Sequence, residues 1–241
     1  MTIEELKNSL LAAPKNGYAR LSADERMEME AHAKGYAAFI DACKTEREAV
    51  VWAVELLKAH GFVELIPGTQ LTPGDKVYRN VHGKALMMAV IGAESMNTGA
   101  RICAAHIDSP RMDLKPNPLY EDAGMAFLKT HYYGGIKKYQ WVTIPLALHG
   151  VVVRRDGTSV TITIGEDESD PILMITDLLP HLAADQMQKT AATAIAGEQL
   201  NVLLGSEPLE GEGSDLIKLH MMKLLNEKYG IIEEDFLSAE L

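Results

Sequence analysis

The chain has 241 residues, 47% hydrophobic and 24% charged, with a formal net charge of −11. This length accommodates one large domain or two modest ones with ample core. No run approaches the roughly 18 uncharged apolar residues of a membrane span, and an acidic balance without a basic stripe offers little to nucleic-acid phosphates, so neither partner is expected.

The first residues, Met1-Thr-Ile-Glu-Glu-Leu-Lys7, carry acids and lack the basic start and apolar core of an export signal, which predicts a cytoplasmic location. Ser22-Ala-Asp-Glu25 and Thr45-Glu-Arg-Glu48 have the hydroxyl-to-Glu spacing of a capping box, so helices are expected to start near Ala23 and Glu46. The second keeps Val50, Val54 and Leu57 on one stripe and should stop at Gly61, a left-handed terminator. Strands are then predicted at Phe62–Ile66, Lys76–Asn80, Ala85–Ile91 and Arg101–Ala105, separated by Gly- and Pro-containing turns. The last is apolar at successive positions, as in a central strand covered on both faces. Cys43 and Cys103 fall in a helical and a buried-strand pattern, which suits reduced core thiols better than a bridge.

That fourth strand leads into His106-Ile-Asp108. Side chains two apart on a strand share a face, so Asp108 can accept one ring N–H of His106 and leave the other nitrogen to a metal. Three or four protein ligands are needed for such an ion, and this pair is the only one evident in the sequence. After Asp108 the texture changes, with breaks at Ser109-Pro110, Pro116-Asn-Pro118 and Gly134-Gly135. A hairpin is expected over 151–164 around an Asp156-Gly157 turn, and helices at Asp177–Gln188 and Ser214–Tyr229. Residues 112–241 thus read as a second, β-rich domain after 1–111.

Taken in order, Tyr18-Ala-Arg-Leu21, Lys34-Gly-Tyr36, Lys44-Thr-Glu-Arg-Glu48, Ala105-His-Ile-Asp-Ser-Pro110, Tyr132-Tyr-Gly-Gly-Ile136, Trp141 and Asp177-Leu-Leu-Pro-His-Leu-Ala183 are a specific set. In these segments the chain resembles the N-terminal half of the aspartyl aminopeptidase and aminopeptidase I family, two-zinc enzymes that remove the N-terminal residue of peptides. The resemblance implies an α/β fold: a zinc-peptidase-like α/β layer, incomplete within these residues, carrying an inserted β-rich assembly domain. It implies a peptide substrate, two zinc ions per complete site, and a homo-oligomer formed through the insert. His106 becomes a zinc ligand and Asp108 the catalytic-site carboxylate that orients it. The family's bridging Asp, Glu-Glu pair, further Asp and final His lie beyond the insert domain and have no counterpart here. The chain alone is therefore expected to be inactive; a non-catalytic assembly protein and one half of a split enzyme are the competing readings.

His181, in Leu179-Pro-His-Leu-Ala183, reads equally as a capping or packing residue just inside a helix start. The resemblance offers it a second role, holding substrate in a neighbouring subunit's active site. Some members have another His four residues on, where this sequence has Asp185. Arg101, Arg111 and Lys115 are candidates for attracting an acidic substrate side chain, but scattered basic residues near a loop read first as solvated charges. His32, His60, His82, His131, His149 and His220 have no partner at ligand spacing, and Glu166–Asp170 reads as an exposed acidic loop rather than a calcium site.

Overall fold

The computed structural model describes the whole chain except Ala13 and Lys15. It divides into two compact units: Met1–Lys44 with Glu48–Gly92, and Thr45–Arg47 with Ala93–Leu241.

The first unit holds α1 (Ile3–Leu10), α2 (Ala23–Ala42) and most of α3 (Glu46–Ala59). The Ser22 hydroxyl accepts the Glu25 N–H at 3.2 Å, and the Glu25 carboxylate accepts the Ser22 N–H at 2.8 Å, which fixes the start of α2. Thr2 and Glu5 repeat the arrangement at α1. Helix α3 starts at Glu46, buries Ala49, Val50 and Leu57, and gives way to Gly61 at φ +80°. A three-stranded sheet follows, in the order β1 (Val63–Glu64), β2 (Lys76–Val81), β3 (Ala85–Val90), with β1 parallel and β3 antiparallel to β2.

Arg101–Ala105 forms no strand. A strand is held by the ladder of its neighbours, and among the described residues none pairs with this segment or with the outer edge of β3. Ile102 is 85% exposed and Cys103 is an exposed free thiol rather than a buried one. The apolar run records what the segment could bury, and nothing among the described residues covers it.

The second unit contains a four-stranded antiparallel sheet, β4 (Arg111–Asp122), β5 (Met125–Tyr133), β9 (Val202–Gly205), β8 (Met174–Ile175), and a three-stranded one, β10 (Ala239–Glu240), β6 (Leu148–Val153), β7 (Ser159–Ile164). Leu119, Leu128, Val152, Ile162, Leu173, Ile175 and Leu200 are the centre of its core. The register of β4 on β5 slips between Leu114 and Leu119. The interruption holds Pro116 and Pro118, which have no N–H to give to the ladder. At Gly150 the backbone runs so close to the Glu240 carbonyl that a Cβ would lie 1.8 Å from it.

Two expectations in this unit change. The Asp156-Gly157 turn is not a two-residue one, because Val153 pairs with Ser159 and Arg154 N–H donates to Thr158 O. The loop at the tip is Arg155–Gly157, with Gly157 left-handed at φ +84°. Asp177–Gln188 is helical only over α4 (Ala184–Met187). Asp177 instead accepts the Leu178 N–H and the Gln186 side-chain amide, closing a loop through Pro180. Helix α5 (Leu216–Tyr229) forms as expected and buries Ile217, Met221 and Leu225.

Candidate functional site

His106 and Asp108 meet in a loop, not at a strand end. The His106 Nδ1 lies 2.9 Å from the Asp108 backbone oxygen and 3.2 Å from its Oδ1. Both are acceptors, so in the neutral ring the proton sits on Nδ1 and the lone pair on Nε2. The imidazole side chain is 82% exposed, leaving Nε2 open to a ligand.

Asp108 is anchored in turn. Its Oδ2 accepts the Tyr133 hydroxyl at 2.8 Å. This bond first, then the residue's own backbone N–H and after it the His106 contact, hold the carboxyl below the usual carboxylate range, and the same Tyr133 bond raises the phenol. Tyr133 pairs with Arg111 across the open end of the β4–β5 hairpin, and the Arg111 guanidinium lies 4.7 Å from the ring centroid. Arg111 Nε reaches Asp113 at 2.7 Å and Nη1 lies 3.3 Å from Glu46 in the first turn of α3. Arg111 is thus a half-buried strut rather than the solvated charge its sequence context suggests, and Lys115 is tied to Glu198 at 2.7 Å.

Tyr133 is the residue that sequence reasoning passes over. Its segment reads as a glycine turn flanked by aromatics, and placing its hydroxyl on Asp108 requires the hairpin register, which the proline-interrupted slip conceals. His181 sits in an exposed turn ahead of α4, and no hydrogen bond or ion pair among the described residues joins it to His106 or Asp108. His149 pairs with Glu166 at 2.9 Å, while His60 and His220 contact backbone carbonyls, at Leu56 and Glu207.

The donor chemistry suits zinc as far as it goes: a neutral imidazole with its second nitrogen held by a carboxylate is how zinc-bound histidines are oriented. No group of three or more His, Cys, Asp or Glu that could hold a metal comes together among the described residues. These residues therefore fit one ligand and its orienting partner, not a complete site.

Comparison with known proteins places the chain in a family. Over its full matched length the chain is 51% identical to a probable M18 family aminopeptidase 1 from Clostridium acetobutylicum, the match covering 98% of this chain and 52% of that protein. The crystal structure of an M18 aminopeptidase from Thermotoga maritima superposes with a TM-score of 0.87 at 41% identity, covering 95% of this chain and 50% of that one. A yeast aminopeptidase 1 described as a dodecamer shares the fold at 19% identity with a TM-score of 0.60. The chain spans about half the length of the curated relatives it matches. Because the family model matches residues 39–241, the chain belongs to the aminopeptidase I zinc metalloprotease (M18) family.

Proposed function

We propose that this chain is the part of a zinc-dependent aminopeptidase that contributes one metal ligand, His106, and its orienting acid, Asp108, to a site completed by residues outside 1–241. The observation that carries this reading is the doubly accepted Nδ1, which leaves an exposed Nε2 as the ligating atom. Residues 1–111 belong to the catalytic layer and 112–241 to the insert. Bound zinc polarises a peptide carbonyl and activates water; the role of this chain's own residues is to present and hold the imidazole. A polypeptide of residues 1–241 supplies too few ligands to turn over substrate by itself.

His181 is assigned to substrate binding across a subunit boundary. Its surroundings support a contact surface: Leu178, Leu179, Leu182 and Met187 are all exposed large hydrophobics within ten residues. A homo-oligomer through this insert and a cytoplasmic location, the latter in keeping with two free cysteines, complete the proposal. The alternative of a non-catalytic assembly protein is favoured by the lack of a three-donor group among the described residues.

The test is complementation. The chain is produced together with the remaining half of the Clostridium acetobutylicum relative, and zinc content and release of N-terminal residues from peptides are measured. Wild-type chain should yield a zinc-loaded, active complex and His106→Ala should lose both. A complex that assembles but stays metal-free and inactive with wild-type chain would favour the assembly reading, and one that keeps zinc and turnover after His106→Ala would remove His106 from the site.

A further inference from the structure

From the exposed imidazole a row of contacts leads inward: His106 to Asp108, Asp108 to Tyr133, Tyr133 to Arg111, and Arg111 to Asp113 and Glu46. Its two ends differ most, the His106 side chain being 82% exposed and that of Glu46 16%, while Tyr133 between them is still exposed at 43%. We infer that Tyr133 is a positioning residue for the metal-ligating imidazole, its hydroxyl locking the Asp108 carboxylate in the orientation that keeps Oδ1 on His106 Nδ1. The inference rests on the reading of His106 as a ligand but concerns a residue to which that reading gives no role.

An aspartate in an exposed loop has several staggered side-chain orientations open to it, and only some place an oxygen against a ring two residues earlier. Asp108 has two oxygens: one faces the imidazole, and the other receives the phenolic O–H, a bond to an ionised acceptor and so among the stronger ones. Holding both ends of the carboxylate removes its rotational freedom. The phenol must itself be held, and its cross-strand neighbour does this, because the Arg111 guanidinium lies over the ring while its Nε donates to Asp113 and its Nη1 faces the Glu46 carboxylate as a charge contact without a hydrogen bond. The loop also touches the hairpin beside the site. Gly134, at φ +76°, lies beside Pro110, a Cβ there falling at ordinary contact distance, 3.4 Å, from the proline ring. Phenylalanine at 133 would keep the stacking with Arg111 and lose only the anchor, which separates the hydroxyl's role from that of the ring.

The experiment is done on the 241-residue chain without metal, so its outcome does not depend on whether zinc binds. Three-bond couplings to the Asp108 carboxyl carbon report its side-chain rotamer, and the two ring nitrogen shifts of His106 report which nitrogen carries the proton. In wild type we expect a single Asp108 rotamer and a His106 protonated at Nδ1 when neutral. Tyr133→Phe should lose the single rotamer and shift the His106 nitrogen signals toward a tautomer mixture. Tyr132→Phe, whose ring faces Lys138 instead, should change neither. Arg111→Lys, which keeps the charge and the Tyr133 hydroxyl but removes the planar fork, should move the couplings the same way by a smaller shift, and carries the test if Tyr133→Phe does not fold. Unchanged Asp108 couplings in a folded Tyr133→Phe chain, or in Arg111→Lys if that is the folded variant, overturn the inference.

Discussion

Helix α5 has its N-terminal donors satisfied from an unexpected place. Its cap residue, Asp215, is left-handed at φ +59° and makes no side-chain capping bond. Instead the Glu121 carboxylate, from the far end of β4, accepts the N–H groups of both Ile217 and Lys218 at 3.0 Å. Glu121→Ala removes one acceptor shared by two helix-end donors, together with a negative charge at the positive end of the dipole. Losing a cap costs about 1 kcal/mol and a bond to an ionised acceptor somewhat more, so a total of about 2 kcal/mol is expected. Urea denaturation followed by far-UV circular dichroism should show it as a lower midpoint at unchanged slope. Heating should show a Tm lower by about 4–8 °C for a unit of this size. Glu121→Gln, keeping one acceptor oxygen without the charge, should lose about half as much. The contrast lies at position 215, where Asp215→Gly should be neutral or stabilising because a left-handed residue gains by losing its Cβ. A Glu121→Ala loss below about 0.5 kcal/mol, or an Asp215→Gly loss as large as that of Glu121→Ala, would refute the assignment of the cap.

Other positions give independent checks. The β4–β5 hairpin turns through Ala123 and Gly124, both at positive φ; Ala123→Asn should raise stability by about 0.5 kcal/mol in the same urea experiment, since asparagine tolerates the first position of such a turn better than alanine. Leu128 is fully buried beside Leu119 and Val202 in neighbouring strands, so Leu128→Ala should cost about 3 kcal/mol, and a loss under about 1 kcal/mol would mean that the core is not packed as described. Asp170 is held below its usual range first by Lys228 and then by the Gly165 N–H. A carboxylate depressed by folding contributes stability that is complete above the ordinary value near ~4 and disappears as pH falls through the lower folded one; Asp170→Asn should therefore weaken the chain at neutral pH and flatten the acid limb of a Tm-against-pH curve. Equal losses at pH 7 and pH 2 would contradict this.

The sequence was most legible where structure depends on neighbours a few residues apart. Ser22 and Glu25 announce α2 because each satisfies the other's backbone, and Gly61 ends α3 because a left-handed residue is needed there. Legibility failed where partners are distant. Arg101–Ala105 has the composition of a buried strand, yet no ladder forms on it among the described residues, and periodicity alone cannot see that. His106 and Asp108 do meet, though for a reason different from strand alternation: a loop carries the Asp108 backbone oxygen to the same nitrogen as its side chain. Tyr133 and Glu46, separated from Asp108 by 25 and 62 positions in the numbering, enter the site only through a hairpin register and a helix start, and short-range spacing carries no trace of either.

Strand β3 has a consequence for how the chain behaves at concentration. Ala85-Leu-Met-Met-Ala-Val90 lies at the edge of its sheet with Met87, Met88 and Val90 exposed, and it contains no charge and no proline. A six-residue apolar segment with an open ladder is the kind of template on which like segments stack into cross-β fibrils. Gatekeeping side chains are absent from the strand itself, the nearest being Lys84 just before it. A strand that paired with that edge would therefore also protect the chain against self-templated aggregation.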